Sequence, residues 1–437
     1  MNPRIKIAVL ATAIVSANVL ANEIEEVIIT SSINDQSTSS VKGAIHVLSG
    51  DSKELSATQS LGESLDGLAG VYSADYGAGV GQPVIRGMSG SRIRVLNNGK
   101  VVRDVAGIGA DHVNEVDMHN IEQIEIIRGP SSLLYANGAI GGIVNIVDNT
   151  IAREDFSESE LKIGLEAQSV NDGDGQTLSY ENNLGGLNFS FAYKDSQFGN
   201  YDVPTGAILH DEDHDEHEDH DEHGDEDHDE HEEHEEDMGF LSNSDFENTS
   251  MRFGLSKTGD WGYVGVSINQ AESVYGIPYH GEHSDEHGDE HGDEHGDEEH
   301  EGEDHDEHEG EDHDEHEGHD EHEGERIFST TDSDVLNLEG SYIVNNSWLK
   351  KVDYFLRDTE YSLTEQHAEE EHEGEEHEGE EHGDEHHDEG PTVFSNDSTE
   401  YGAIFDISSS DYSQKVSLNI ATEDVSILGH EAFMNPT

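Results

Sequence analysis

Histidine stands beside aspartate and glutamate in three long runs, His210–Asp237, His280–Glu325 and His367–Glu389, and 26 of the chain's 30 histidines lie inside them. Imidazole nitrogen with carboxylate oxygen is a donor set that borderline divalent metals accept, and tracts of this composition read as metal-binding. The recurring units His-Asp-Glu-His and His-Gly-Asp-Glu-His offer such donors in any register, so they favour many weak, exchanging sites over one rigid cage. The alternative is a solvated acidic brush, for which plain Asp and Glu would serve and histidine would have no purpose. Cysteine is absent, which removes disulfides and thiolate sites.

The formal charge is −81 and comes largely from the three runs. Nucleic acid is thereby excluded as a partner, because phosphate binding needs a basic face that releases counterions. Cations are the natural partners. The sequence holds no nucleophile paired with a base and no Gly-rich phosphate loop opening a helix, so it reads as a binding or transport protein rather than an enzyme.

The elements around the runs set where they project. Met1 to Ala21 has a basic start (Arg4, Lys6), a short apolar run and a small residue at its end, the pattern of a secretory leader removed before Asn22. Asn22–Ser40 is a polar linker interrupted by Glu26, Val27, Ile28, Ile29 and Thr30, a β-prone patch suited to docking on another protein's sheet edge. The first strand of the following domain is the other reading of that patch. Val41–Thr150 reads as a compact mixed domain, with a short helix capped by Ser60 and a strand pair turning at Asn97-Asn98-Gly99.

After Ile151 the pattern becomes alternating. Leu161, Ile163, Leu165 and Ala167 share one face, as do Leu187, Phe189, Phe191 and Tyr193. Similar segments bring the count to about nine strands, each expected near the roughly 9–11 residues that cross an outer membrane. Short turns at Gly185-Gly186, Thr258-Gly259-Asp260 and Asn345-Asn346 alternate with long excursions that contain all three runs. In an antiparallel up-and-down sheet, alternate connections share a side, so the runs project from one rim, expected to be the extracellular one.

Three stretches carry a family resemblance: Gln82 to Gly87 (QPVIRG), Arg92 to Gly99 (RIRVLNNG), and Asn120 to Ile146 (NIEQIEIIRGPSSLLYANGAIGGIVNI). They resemble the plug domain of TonB-dependent outer-membrane receptors. The resemblance implies a mixed α+β plug followed by a transmembrane antiparallel β-barrel, with outer-membrane lipid around it. Glu26–Thr30 would be the TonB box, pulled by the energy-transducing TonB protein. Tyr275 to His280 (YGIPYH) and Leu428 to Phe433 (LGHEAF) resemble segments of the zinc-uptake (ZnuD-like) branch, which implies zinc as transported ligand and no resident cofactor. Copper, nickel, haem or another chelate is the alternative cargo, and a metal-buffering surface protein the alternative role.

Family barrels have about 22 strands, so a chain ending at Thr437 after about nine is expected to be C-terminally truncated, an incomplete barrel. Asp111-His112, in the loop Gly107–Glu115, matches an Asp-His pair that the resemblance implies as metal ligands, with His280, Glu282 and His283 as barrel partners. An ordinary polar turn is the other reading of Asp111-His112. His46 and His119 are assigned to packing or the surface.

Overall fold

The structure is a computed structural model. It describes residues 44–49, 60–77, 79–128, 138–204, 239–278, 327–344, 346–367, 390–408 and 413–429. The leader, Glu26–Thr30, His280, Glu282, His283 and His430 lie outside the described residues, as do the three runs apart from the backbone of His367.

The N-terminal part comprises β1 (Ala44–Ser49), the helix α1 (Leu61–Leu65), β2 (Val71–Asp75), β3 (Gly81–Ile85), β4 (Ile93–Asn97), β5 (Lys100–Val101), β6 (Ile121–Arg128) and β7 (Gly142–Asp148). Ser60 caps α1, its hydroxyl accepting the Glu63 N–H at 3.2 Å. Five strands form one sheet in the order β1-β6-β7-β4-β5, with β4 and β7 parallel, and β2 pairs with β3 beside it. The hairpin between β4 and β5 turns at Asn98 and Gly99, both with positive φ (50° and 78°), as a two-residue turn matched to strand twist requires. Leu65, Ile85, Ile124, Ile126 and Ile146 are fully buried between α1 and this sheet.

The second part is one nine-stranded antiparallel sheet. Its members are β8 (Glu160–Ala167), β9 (Asp174–Asn183), β10 (Asn188–Phe198), β13 (Phe246–Gly259), β14 (Gly262–Gly276), β15 (Ile327–Ile343), β16 (Leu349–His367), β17 (Thr392–Ser408) and β18 (Ser413–Leu428), neighbours in space as in sequence. A small ribbon, β11 (Tyr201–Asp202) with β12 (Phe240–Leu241), begins and ends the first long connection. The antiparallel order brings the ends of all three long connections to one rim.

This sheet is inverted relative to a soluble protein. Ile163, Leu165, Ile268, Leu338 and Leu418 are exposed on its outer face, while Ser190, Ser256, Ser267, Thr331 and Glu339 are buried on the inner face against the N-terminal domain. Among the described residues no helix is long and apolar enough to cross a membrane; an apolar outer band on paired strands is the other way a chain meets lipid.

From β13 to β18 the strands run 14–19 residues, longer than the 9–11 expected. The surplus lies toward the long-connection rim, where the outer face turns from Val266, Ile268 and Leu338 to exposed carboxylates. Glu272 lies opposite Asp332, Asp334 opposite Glu360, and Asp397 opposite Asp424. Like charges facing across strands are tolerable only in water, so the strands continue past the apolar band.

The seam between domain and sheet is made of charges and backbone. Lys100 Nζ donates to Glu339 at 2.5 Å, Arg153 reaches the same carboxylate at 3.3 Å, and Tyr263 donates to it at 3.1 Å. Arg252 meets Asp117 and Asp148 at 3.1 and 3.7 Å, and Arg103 meets Glu423 and Glu400 at 2.7 and 3.6 Å. Thr150 lies so close to β13 that its carbonyl occupies the place of a Gly254 side chain. Ser190 and Ser256 hydroxyls donate to the carbonyls of Thr150 and Ala152.

Glu339→Ala leaves buried Lys100 without its partner, an effect worth about 3–5 kcal/mol for a buried pair broken on one side. The expected outcome is a domain that detaches first, read as faster protease cleavage between Val41 and Thr150 and a lower unfolding midpoint. Cleavage unchanged from wild type would show that the anchor lies elsewhere.

Candidate metal site

Between β5 and β6 the chain makes the loop Asp104–Glu115, and its shape follows from one carboxylate and one amide. Asp104 accepts the N–H groups of Ala106 (3.3 Å) and Glu115 (3.1 Å), tying the two ends of the loop together. Gln82, buried on β3, sends its Nε2 to the carbonyls of Ala106, Gly109 and His112 at 2.8, 2.7 and 2.9 Å. Three loop carbonyls thus converge on one side chain, so Asp111 and His112 are presented by a fixed frame.

The loop is seated at the long-connection rim. Val105 and Val113 pack with Phe198, Phe246, Tyr275, Ile277 and Leu363 at the rim ends of β10, β13, β14 and β16. The Val113 N–H points to the Tyr275 hydroxyl at 3.4 Å, and the Phe394 ring meets His112 edge to face, centroids 4.8 Å apart.

Asp111, His112 and Glu365 bring one donor atom each within 4.8 Å of one another. His112 is 3% exposed. Its Nδ1 lies 3.0 Å from the Val105 carbonyl, which only accepts, so Nδ1 carries a proton. Its Nε2 lies 2.9 Å from Glu365 Oε1. Gly109 keeps the space open, since a Cβ there would come within 2.6 Å of Asp111 Oδ1 and 3.0 Å of His112 Nε2.

Burial pulls the His112 pKa down, but the hydrogen bonds to Glu365 and to the Val105 carbonyl, with the charges of Asp111 and Glu365, outweigh it and raise the value above 6.5. The empty site is therefore an imidazolium–carboxylate pair at mildly acidic pH. A divalent cation would take the place of the Nε2 proton between the same atoms. Deeper in the seam, burial lifts Glu115 to about 7 despite a hydrogen bond from Thr331, with Asp104, Asp117 and Asp332 adding to the rise.

Of the ligands anticipated from sequence, Asp111 and His112 are brought together, whereas His280, Glu282 and His283 fall outside the described residues. Glu365 and Gln82 were missed as contributors. Glu365 follows the inward alternation of Arg357, Thr359, Tyr361 and Leu363 on β16, which is the signal that would have found it. His46 is exposed on β1, and His119 turns its ring into the seam, where burial, with Arg252 and Lys194, takes its pKa to about 4 despite Asp117.

Two outcomes follow from this geometry. Gln82→Ala should weaken zinc affinity about tenfold or more while leaving every ligand atom in place, measured by competition with a chromogenic chelator. Affinity should also fall as pH drops below the raised His112 value, because the proton competes. Without metal the sign reverses: the His112–Glu365 pair stabilises the fold fully below 6.5, and that contribution is lost as pH rises through the raised folded value. Denaturant midpoints with and without zinc check both directions.

Residues 37–143 match the model of the TonB-dependent Receptor Plug Domain. A vitamin B12 transporter, BtuB of Vibrio cholerae serotype O1, is 31% identical over 145 residues, which cover 32% of this chain and 23% of that protein. Two solved structures share the fold across both domains. The copper transporter OprC has a TM-score of 0.54 at 12% identity, with 88% of this chain and 47% of that one covered. The FrpB iron transporter of Neisseria meningitidis has a TM-score of 0.55 at 10% identity, with 88% and 49% covered. The chain thus spans about half the length of these structures and a smaller share of the curated relative. A plug seated on part of a receptor-type strand sheet, apolar face outward, marks this chain as a TonB-dependent receptor of the outer membrane.

Proposed function

We propose that the chain belongs to a receptor that captures zinc at the cell surface and passes it to the periplasm. The observation that carries this reading is the donor group Asp111–His112–Glu365 at the rim from which the three histidine-rich runs extend. One buried imidazole with two carboxylates is a nitrogen–oxygen set of the kind zinc accepts, and sulfur donors of cysteine are absent from the chain. The runs would collect ions and exchange them rapidly, and the rim site would hold one ion tightly above the seam. No bond chemistry is needed. The energy comes from outside the chain, through pulling on Glu26–Thr30 by the TonB protein, after export directed by residues 1–21.

Copper is the second cargo to weigh, because the same donors suit copper(II) and intrinsic affinity would favour it. Zinc and copper titrations of the purified protein, each with the other as competitor, separate the two.

Asp111→Ala with His112→Ala should abolish the tightest site, while removal of the three runs should lower the number of ions bound and leave that site intact. Calorimetric titration with zinc reads both. A tight site that survives the first change and disappears with the runs would put the transport ligands in the loops instead. Ile28→Pro removes a backbone donor from the docking strand; zinc accumulation by cells should fall while binding persists.

A further inference from the structure

The seam holds a second, chemically opposite feature. On β16, Arg357 pairs in register with Asn337, whereas Glu365 pairs with Ser329, so Arg357 lies eight residues farther from the rim than the metal site. Arg357 is 5% exposed, and its Nε and Nη1 are both buried without a hydrogen-bond acceptor among the described residues. The carboxylates that attract it are engaged with other groups. Glu400 takes Arg103 at 3.6 Å and Asn419 at 2.5 Å, and Asp148 takes Arg252 at 3.7 Å and Asn97 at 2.9 Å. Leaving guanidinium N–H groups buried and unpaired is costly.

Arg357 borders a cavity of about 60 Å³ that Arg252 also lines. The two arginines come from the sheet. Asn97, Glu115 and Asp117 close the cavity from the plug, and Asn269 and Ser333 from the sheet. Asp117 is paired with Arg252 at 3.1 Å, and the Asn269 Oδ1 is buried without a donor. Turning that amide over would present N–H₂ to the cavity instead, since the two orientations differ only in which atom is called nitrogen.

We propose that this cavity is a binding site for a small inorganic anion of chloride size, held by Arg357 and Arg252 across the seam between plug and sheet. A water molecule would satisfy one or two N–H groups but would leave the Arg357 charge uncompensated in a low-dielectric seam; an anion supplies both. Because plug residues form part of the wall, the site exists only while the plug is docked. Anion binding therefore stabilises the docked state by mass action, and displacement of the plug releases the ion. The inference stands whatever the cargo of the rim site.

The test compares the full chain, purified in detergent, in sodium chloride and in sodium gluconate at equal pH and ionic strength, gluconate being too large for the cavity. The wild-type melting midpoint should be higher in chloride. Arg357→Gln should remove that difference, Arg357→Lys should retain part of it, and Asn269→Leu, which fills the cavity and spares both guanidiniums, should also remove it. Crystals soaked in bromide should show an anomalous peak between Arg357 and Arg252. Equal wild-type midpoints in the two salts, a chloride response undiminished in both Arg357→Gln and Asn269→Leu, or a cavity holding water and no bromide would each overturn the proposal. If Arg357→Gln does not fold, the Asn269→Leu comparison and the bromide peak decide.

Discussion

A sheet whose outer face must meet hydrocarbon has only its inner face left for polar side chains, so the plug is seated against serines, threonines and charged groups rather than against an apolar wall. Apolar burial cannot hold the two parts together over most of their contact. Paired charges do so instead: Glu339 gathers Lys100, Arg153 and Tyr263, and Arg252 gathers Asp117 and Asp148. Such contacts are specific in geometry, yet water entering the seam can replace them group by group. An interface of this kind stays closed at rest and separates when pulled, a behaviour that a greasy interface of equal area would resist.

The metal site uses the same polarity at the one place where the seam does become apolar. Phe198, Phe246, Tyr275, Leu363 and Phe394 surround the loop Asp104–Glu115 near the rim, so His112 sits in a dry setting with Glu365 as its only close charge from the sheet. Dry surroundings strengthen ligation by preventing water from competing, and the frame set by Gln82 and Asp104 removes the need to organise the loop when an ion arrives. Selectivity for a divalent ion over a proton then depends on pH alone.

Much of this could be read in the sequence, for reasons that differ by region. The plug motifs surround turns at which backbone conformation is demanding, as Asn98 and Gly99 illustrate with their positive φ, and such demands restrict residue choice. The alternation of Leu161, Ile163 and Leu165 gave the strand, although a period of two does not say which face is wet. The strand β9, with Leu178 and Tyr180 as its only large apolar residues, escaped individual recognition because half its outward positions are polar. Asp111 and His112 were found because they are adjacent in the chain. Glu365 is more than 250 residues away from them, and only strand register brings it near. The orphaned guanidinium of Arg357 was invisible for the same reason, since lack of a partner is a property of three-dimensional neighbours.

The strands that outlast the apolar band also fix a height. Between Leu356, opposite Leu338 within the band, and Glu365 at the metal site, β16 advances about 30 Å at the usual rise per residue. With the tilt typical of such barrels this is about 20–25 Å above the lipid. Screening in physiological salt acts over about 8 Å. The mouth of the receptor is therefore electrically decoupled from the charged headgroups below it, and an approaching cation feels the carboxylates of the protein and not the ionic composition of the membrane. A receptor mounted flush with the bilayer would have its ion affinity set partly by whichever lipids surrounded it; this one carries its own electrostatic environment on a pedestal.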